Sequence, residues 1–356
     1  MATTPSPEVH HRPAAPTPLP LPRTPSPRSA PALRWGVLGP GGIASTFVRA
    51  LRSATSQQVV AVGSRSAARA EAFADRYAIP AAYGSYAELV ADDRVDVVYI
   101  ATPHSEHAEH ALMAIEAGRH VLVEKAFTRN AREAEQVAAA ARVRGRFAME
   151  AMWTRFLPHM DVVRQCVEQG LLGEIHVVTA DHGQRMAPDP AGRLFSPHLA
   201  GGALLDLGIY PLSFASMVMG AFTSVQATGS QTSTGVDAQA CVVVANASGT
   251  QGLLHTTLRA RTPTTAAVSG SAARLEIEGD FYAPAAVRLL DPAGRLIGGY
   301  QPDTREHGYA YEAAEVARCV SEGRLESALM PLRETVDLMK TLDTLRAQLR
   351  VRFPGE

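Results

Sequence analysis

Cysteine is scarce in this sequence, with three residues in 356, and none of them lies in a C-x-x-C pair. Cys166, Cys241 and Cys319 are far apart along the chain. An odd, widely spaced set of cysteines excludes the disulfide framework of a small secreted domain and argues against a zinc or thiol-redox motif. We therefore expect reduced, buried thiols in a cytoplasmic protein.

Net charge is also nearly absent, since 34 basic and 35 acidic residues leave a formal charge of −1. No basic surface of the kind that binds nucleic acid or an anionic membrane is expected. No apolar run reaches the length of a membrane-spanning helix. The N-terminus lacks the apolar core and the twin arginine of export signals, so we expect no membrane partner and no secretion.

The length of the chain predicts two domains, and a hydrophobic content of 46% supports a sizeable core. Residues 1–33 are rich in proline, serine, threonine and alanine and predict a disordered tail. Residues 34–150 alternate apolar strands with helices, which predicts a doubly wound α/β domain with a parallel sheet. Residues 151–356 predict an α+β domain with an open, mainly antiparallel sheet, whose last helices could pack back on the first domain.

The stretch after the first apolar strand carries the strongest local motif, G-x-G-x-x-A, formed by Gly39, Gly41 and Ala44. In a strand-turn-helix context this pattern is typical of dinucleotide binding. Gly39 permits the tight turn, Gly41 lets a pyrophosphate approach the backbone, and Ala44 lets the helix pack closely. With Gly42 and Ile43, these residues open a helix whose N-terminus attracts phosphate. An ordinary strand-turn-helix is the alternative, and the βα pattern that follows weighs against it.

The end of the second strand predicts which nicotinamide cofactor binds. NAD-binding folds place an acidic residue there to hold the ribose 2′-hydroxyl. This chain instead has Ser64 and Arg65, with Arg69 one helical turn on. A hydroxyl and two cations suit a 2′-phosphate, so we expect NADP rather than NAD. A solvated arginine at a helix start is the alternative interpretation.

Together with the glycine motif, four further segments resemble motifs of the glucose-fructose oxidoreductase / inositol dehydrogenase (Gfo/Idh/MocA) family, and the resemblance covers about residues 34–350. Residues 102–107 are similar to its T-P-x-x-x-H motif, and residues 124–126 to its E-K-P motif, with Ala126 in place of the proline. Residues 149–156 and 201–210 look like the subgroup that contains dimeric dihydrodiol dehydrogenases and NADP-dependent xylose dehydrogenases. The resemblance implies a Rossmann domain, a second domain with an open sheet, and nicotinamide-dependent oxidoreduction.

The resemblance also implies roles for individual residues. Lys125 and Tyr210 would form the acid/base pair of a hydride transfer, because a phenol can donate a proton to a forming alkoxide beside a cation. Asp206 would orient Lys125 or bind a substrate hydroxyl, and Glu124 would hold ribose hydroxyls. The alternatives are a surface lysine, a half-buried tyrosine and a solvated glutamate. The remaining implied cofactor contacts are Thr102, Pro103, His107 and Lys125 itself.

Two groups of residues leave alternatives open. Trp153 and Arg155 are expected to line the pocket and are counted with the cofactor-binding residues, although core packing or a surface ion pair would explain them equally. His104, His107 and His110 recur every three residues, which suggests a metal site. Ligands at this spacing drift off one helical face, and hydride transfer to nicotinamide needs no metal, so we expect none.

The function expected from these residues is an NADP-dependent dehydrogenase or reductase that acts on a hydroxyl or carbonyl of a sugar, cyclic polyol or dihydrodiol. A sugar–sugar oxidoreductase with tightly bound cofactor is one alternative. A catalytically silent NADP-binding regulator is another, which the presence of both Lys125 and Tyr210 argues against. An open sheet exposes one face, so we also expect a homodimer.

Overall fold

The computed structural model describes residues 19–303 and 308–356. Its first half is built on six parallel strands in the order β3-β2-β1-β4-β5-β6. The strands are β1 (Arg34–Leu38), β2 (Gln58–Gly63), β3 (Ala81–Tyr83), β4 (Val97–Ile100), β5 (His120–Glu124) and β6 (Ala148–Ala151). The helices that connect them are α1 (Gly42–Ala54), α2 (Ala67–Tyr77), α3 (Tyr86–Ala91), α4 (His107–Glu116) and α5 (Ala131–Arg144). This is the predicted Rossmann-type sheet.

Burial explains why these strands are apolar throughout. All four residues of β4 are buried, as are the last four of β1 and of β5. Helices cover both faces of a parallel sheet, so neither face of its central strands can be polar. The strand order reverses between β1 and β4, which leaves a crevice at their carboxyl ends.

The second half contains an eight-stranded sheet in the order β14-β13-β12-β11-β7-β10-β9-β8. The strands are β7 (Ile175–Gly183), β8 (Phe222–Gln231), β9 (Asp237–Asn246), β10 (Gln251–Thr257), β11 (Ala266–Gly270), β12 (Arg274–Ile277), β13 (Val287–Leu290) and β14 (Leu296–Tyr300). Neighbours are antiparallel except for β7 and β10. The helices are α6 (Pro158–Glu168), α7 (Ile209–Met219), α8 (Gly308–Ser321) and α9 (Leu332–Gln348). The predicted open, mainly antiparallel sheet is confirmed.

Helices cover one face of this sheet: α7 packs on β7 and β10, and α9 packs on β8. The last two helices also return to the first half, since α8 contacts α1 and α9 contacts α5. On β9, Val242 and Val244 are buried whereas Cys241 and Val243 are exposed. The exposure of Cys241 corrects the expectation that all three thiols are buried, because alternate residues of a strand face opposite sides of a sheet.

One helical stretch, Pro197–Met219, is long and apolar enough to cross a membrane, with a mean hydropathy of 1.4. The sequence expectation that no run approaches that length is therefore wrong on this criterion. However, 83% of its most apolar window is buried inside the protein. We assign the stretch to the core, because a helix that is apolar on every side can be buried in a large domain.

The N-terminal tail also differs from its prediction. Residues 1–18 lie outside the described residues, but residues 19–33 pack along the protein instead of forming a disordered tail. Arg23 bonds Asp161 and Glu168 of α6 at 2.9 and 3.1 Å. Ala30 packs against Ala314 and Ala317 of α8. These contacts could not be predicted from the proline-rich composition. Such a composition indicates that a segment lacks regular helices and strands, but it does not indicate whether the segment packs against the rest of the protein.

The Arg23–Asp161 contact gives a test of this packed segment. Because the Asp161 side chain is nearly buried and Arg23 is half-exposed, Arg23→Ala should lower the free energy of unfolding by about 1–2 kcal/mol. Urea denaturation measures the change. Arg333→Ala is the control, since that side chain is 94% exposed and 3.9 Å from Asp337, and should cost less than about 0.5 kcal/mol. Equal effects of the two substitutions would contradict the packing.

Candidate active site

A cavity of about 720 Å³ lies between the carboxyl edge of the parallel sheet and the second half of the protein. Most of the residues predicted from the sequence meet here. Those that line the cavity are Gly39, Gly41, Gly42, Ile43, Ser64, Arg65, Arg69, Thr102, Pro103, His107, Glu124, Lys125, Asp206 and Tyr210. Ala44, Trp153 and Arg155 are not among its lining residues.

The glycine turn at one end of the cavity is shaped for a pyrophosphate. Gly39 has a φ of +93°, and a Cβ there would lie 3.0 Å from the Ala101 carbonyl oxygen. A Cβ on Gly41 or Gly42 would meet nothing within 4 Å, so the backbone faces open space. Helix α1 begins at Gly42 without a side-chain cap, which leaves its N-terminal N–H groups for an anion. These features fit a dinucleotide, and the buried Ala44 packs α1 on the core as expected.

The predicted 2′-phosphate contacts lie beside this turn. Strand β2 ends at Gly63, and Ser66 caps α2 by accepting the Arg69 backbone N–H. Arg65 and Arg69 line the same part of the cavity, together with Tyr86. Tyr86 was missed in the sequence, because the Ser85–Glu88 capping box marks the start of α3 but not a contact with the cofactor.

Lys125 joins the two halves of the protein. Its ammonium donates a hydrogen bond to the Asp206 backbone carbonyl at 2.7 Å and lies 3.5 Å from the Asp206 carboxylate. It also lies 5.0 Å from the centroid of the Tyr210 ring. Lys125, Asp206 and Tyr210 are therefore neighbours in the structure. The peptide bond between Lys125 and Ala126 is cis.

Asp206 lies in a π-helical turn, Leu204–Gly208, that runs directly into α7. Burial raises the pKa of this carboxyl, but the positive charges of Lys125 and Arg193 outweigh burial and hold the pKa well below its usual range. Arg193 reaches the same carboxylate at 2.9 Å. Asp206 is therefore an ionised partner for two cations and is poorly suited to accept a proton.

Tyr210 is the group best placed to exchange a proton. Its hydroxyl oxygen accepts a hydrogen bond from the Trp153 indole N–H at 3.1 Å, so its own O–H can donate into the cavity. Burial raises the pKa of Tyr210 well above its usual value, and Tyr309 and Glu124 add to this effect. The phenol is thus protonated at neutral pH and can act as a general acid.

Trp153 and Arg155 correct the sequence prediction. Trp153 stands behind the site, where it holds the Tyr210 hydroxyl and stacks on Tyr309 at 4.6 Å. Arg155 is buried and points away from the cavity, bonding the Ser213 hydroxyl at 2.8 Å and the Glu334 carboxylate. The sequence motif indicates that both residues lie near the site, but it does not indicate which side chains reach the cavity.

The three histidines, of which His104 precedes α4 and His107 and His110 lie in its first turn, bond other parts of the protein and do not converge on a common point. The His107 ring nitrogens lie 3.0 Å from the Ala126 carbonyl and 2.7 Å from that of Thr102, while His110 pairs with the Thr102 hydroxyl. Burial lowers the pKa of His107 to about 4, so it is neutral at pH 7. In residues 19–303 and 308–356, no group of three or more metal-ligating side chains is placed to hold a metal ion.

Several residues of the cavity were missed in the sequence. They are His104, His182, Gln184, Arg193, Leu207, Tyr282 and Tyr309. His182 stacks on Tyr282 at 4.4 Å and meets the Tyr210 ring edge-on at 5.1 Å. Burial and the Lys125 charge lower the pKa of His182 to about 4. These residues come from separate elements, such as β7 for His182, the segment between β12 and β13 for Tyr282 and the start of α8 for Tyr309, and only the fold brings them together.

Two buried acids lie close together, Glu124 in the wall of the cavity and Glu312 outside its lining. Glu124 is buried, and it accepts hydrogen bonds from the Tyr99 hydroxyl and from the Lys125 backbone N–H. Glu312 of α8 is fully buried, and neither of its carboxyl oxygens has a hydrogen-bond partner among the described residues. Burial, with the Glu124 charge, raises the pKa of Glu312 well above its usual 4.5. Burial therefore favours the neutral carboxylic acid form of Glu312.

This raised pKa predicts a pH-dependent effect of Glu312→Gln. The unfolded chain loses the Glu312 proton near pH 4.5 and the folded chain keeps it, so the parent loses stability as the pH rises above about 4.5. Glutamine cannot ionise in either state. The stability of Glu312→Gln relative to the parent should therefore rise between about pH 5 and pH 8, by at most about 1.4 kcal/mol per pH unit.

Urea denaturation of the two proteins at both pH values measures this change. Glu109→Gln, at an exposed position of α4, is the control and should show no such trend. A difference between Glu312→Gln and the parent that is the same at both pH values would mean that Glu312 is ionised in the folded protein.

Comparison with known proteins agrees with this geometry. Residues 33–152 match the oxidoreductase family with an NAD-binding Rossmann fold (GFO_IDH_MocA), and residues 160–278 match the GFO/IDH/MocA C-terminal domain. The chain is 37% identical to trans-1,2-dihydrobenzene-1,2-diol dehydrogenase of Mus musculus, covering 91% of this chain and 99% of that protein. It is 34% identical to D-xylose 1-dehydrogenase (NADP+) of Hypocrea jecorina, covering 90% and 93%.

A solved structure is also similar. The 3-ketoreductase KijD10 from Actinomadura kijaniata, in complex with NADP and TDP-benzene, superposes with a TM-score of 0.79 at 26% identity. The match covers 89% of this chain and 98% of that one. The likeness extends through both sheets, so it includes the cavity between them.

Proposed function

The chain belongs to the Gfo/Idh/MocA oxidoreductase family, and from this membership we infer that it transfers hydride between NADP and a hydroxyl or carbonyl carbon of a sugar, cyclic polyol or dihydrodiol. The observation that carries the proposal is the cluster of Lys125, Asp206 and Tyr210 beside the dinucleotide turn. A catalytically silent regulator would have no need to keep a protonated tyrosine in contact with a buried lysine.

Bound NADP supplies the hydride chemistry, and the residues of this chain handle the proton. The Tyr210 hydroxyl would donate its proton to the oxygen of a carbonyl that is being reduced, and would recover a proton in the reverse reaction. Trp153 holds the phenol oxygen in place. The Lys125 ammonium adds positive charge next to the oxygen on which negative charge develops.

The walls of the cavity support a cyclic, hydroxylated substrate. The rings of His182, Tyr210 and Tyr282 pack together on one side. Aromatic faces suit the apolar face of a sugar or a cyclic diol. Gln184 and Arg193 bring polar groups to the same cavity. The diol and xylose dehydrogenases to which the chain is similar act on substrates of this kind, by name.

Features of the cofactor end support NADP in particular. No acidic residue follows β2, and Arg65 and Arg69 line the cavity beside the glycine turn. The xylose dehydrogenase relative is named for NADP+, and KijD10 was solved with NADP. The free cysteines support our further proposal of a reducing compartment such as the cytoplasm.

Substitutions at Tyr210 and Lys125 test the catalytic assignment. A screen of aldoses, inositols and cyclic diols, followed by NADPH absorbance, first identifies the best substrate. Tyr210→Phe keeps the ring and removes only the hydroxyl, so kcat should fall by about 10²–10⁴ while NADPH binding is retained. Lys125→Met should give a similar loss. The double variant should be little worse than either single variant, because residues that act as a unit are not additive.

Tyr83→Phe is the matched control, since its hydroxyl bonds Asp92 outside the cavity. It should retain the parent kcat. The assignment would be wrong if Tyr210→Phe turned over like the parent under conditions where chemistry limits the rate. His107 would then become the proton carrier to test.

The uncovered face of the eight-stranded sheet supports the proposal of a homodimer. Leu253 on β10 and Val243 on β9 are register partners. They are 49% and 46% exposed, which is high for large apolar residues in the middle of a sheet. Helices α7 and α9 cover the opposite face, as described above. A second copy of the chain would cover these side chains in a two-fold interface.

Leu253→Lys tests this interface. The parent should scatter light as twice the 37.9 kDa chain mass at micromolar concentration, and the variant should shift towards the monomer because two lysines would be buried at the two-fold axis. Val143→Lys is the control, because Val143 is 83% exposed on α5, in the other half of the chain. A monomeric parent would refute the proposal.

A further inference from the structure

Arg65, the cation expected to meet a 2′-phosphate, is already paired with a carboxylate. Its Nη1 lies 3.2 Å from Oε1 of Glu106. Glu106 belongs to the T-P-x-x-x-H segment between β4 and α4. The pair therefore links the end of β2 to the start of α4, two neighbouring elements at the cofactor edge of the sheet.

The two side chains of this ion pair differ in solvent exposure. The Arg65 side chain is 73% exposed, whereas that of Glu106 is 19% exposed. The second carboxylate oxygen of Glu106 is buried, with no hydrogen-bond partner among the described residues. Glu106 also stands at the N-terminus of α4, where the helix dipole favours negative charge. The carboxylate is thus held in place, and the guanidinium is the partner that can move.

A fixed carboxylate next to Arg65 affects the two nicotinamide cofactors differently. A 2′-phosphate that approached Arg65 would share its guanidinium with a second negative group, and the like charges would repel each other. The 2′-hydroxyl of NAD is neutral, and it can donate a hydrogen bond to a carboxylate. Glu106 could therefore supply, from the segment before α4, the acid that is missing after β2.

We propose that Glu106 is a specificity-determining residue that weakens the preference of this chain for NADPH over NADH. It does so by engaging Arg65 and by opposing the charge of the 2′-phosphate. This inference rests on the proposed function, because it requires that a dinucleotide binds along the glycine turn. It concerns the strength of the preference and not the reaction that follows.

Binding measurements on Glu106→Gln test the inference without any substrate. The side chain keeps nearly the same size, so the substitution removes the charge with little change in packing. NADPH and NADH are titrated into the parent and the variant, and each Kd is read from fluorescence. The Kd for NADPH should fall by about three- to tenfold, and the Kd for NADH should stay the same or rise. The ratio of the two constants reports the preference.

Two further variants separate the possible outcomes. Arg65→Ala should weaken NADPH binding by about five- to a hundredfold and leave NADH nearly unchanged. Glu109→Gln removes the same charge from an exposed position three residues further along the chain. In Glu109→Gln the ratio of the Kd for NADH to the Kd for NADPH should stay within about twofold of the parent ratio, if only the charge of Glu106 next to Arg65 affects the preference.

An unchanged or lower preference for NADPH in Glu106→Gln, in a parent that binds NADPH, would overturn this inference alone. A lower preference would mean that Glu106 orients Arg65 towards the phosphate. A parent that binds neither nucleotide would overturn the proposed function, and the inference with it. A change of equal size in Glu109→Gln would show that general charge, and not the contact with Arg65, sets the preference.

Discussion

The contact between Lys125 and Asp206 is the interaction on which the rest of the site depends. Lys125 directly follows strand β5 of the parallel sheet, and Asp206 lies in the π-helical turn that leads into α7 in the second half. Both side chains are largely buried. A lysine in that position is stable as a cation only if an ionised partner is close, and a buried aspartate has the same need. Each charge therefore holds the other half of the protein in place.

This mutual requirement explains why the catalytic group is a neutral one. Asp206 is committed to Lys125 and Arg193, so its proton is lost at any working pH. The histidines near the site are kept neutral by burial. Tyr210 remains as a group that carries a proton, faces the cavity and makes no ion pair. Burial, which costs the charged residues their hydration, keeps the phenol protonated.

How far the sequence predicts the molecule depends on whether a feature is local. The glycine turn, the alternation of strands and helices in the first half and the place of Lys125 follow from short motifs, because neighbours in sequence form them. The place of Tyr210 was implied by the resemblance of residues 201–210 to the family, although a π-helical turn and not a regular helix precedes it. The packing of residues 19–33 could not be predicted, since it includes contacts between residues more than a hundred positions apart, as between Arg23 and Asp161.

Trp153 shows most clearly what a motif leaves open. Its position next to a family-like segment indicated that it belongs to the site, and a place in the cavity wall was the natural interpretation. In the structure its indole N–H faces the Tyr210 oxygen, and its ring stacks on Tyr309. Position along the chain says which residues are near the chemistry. Only packing says whether a side chain meets the substrate or holds the residue that does, and that depends on where α7 and α8 lie against the first half.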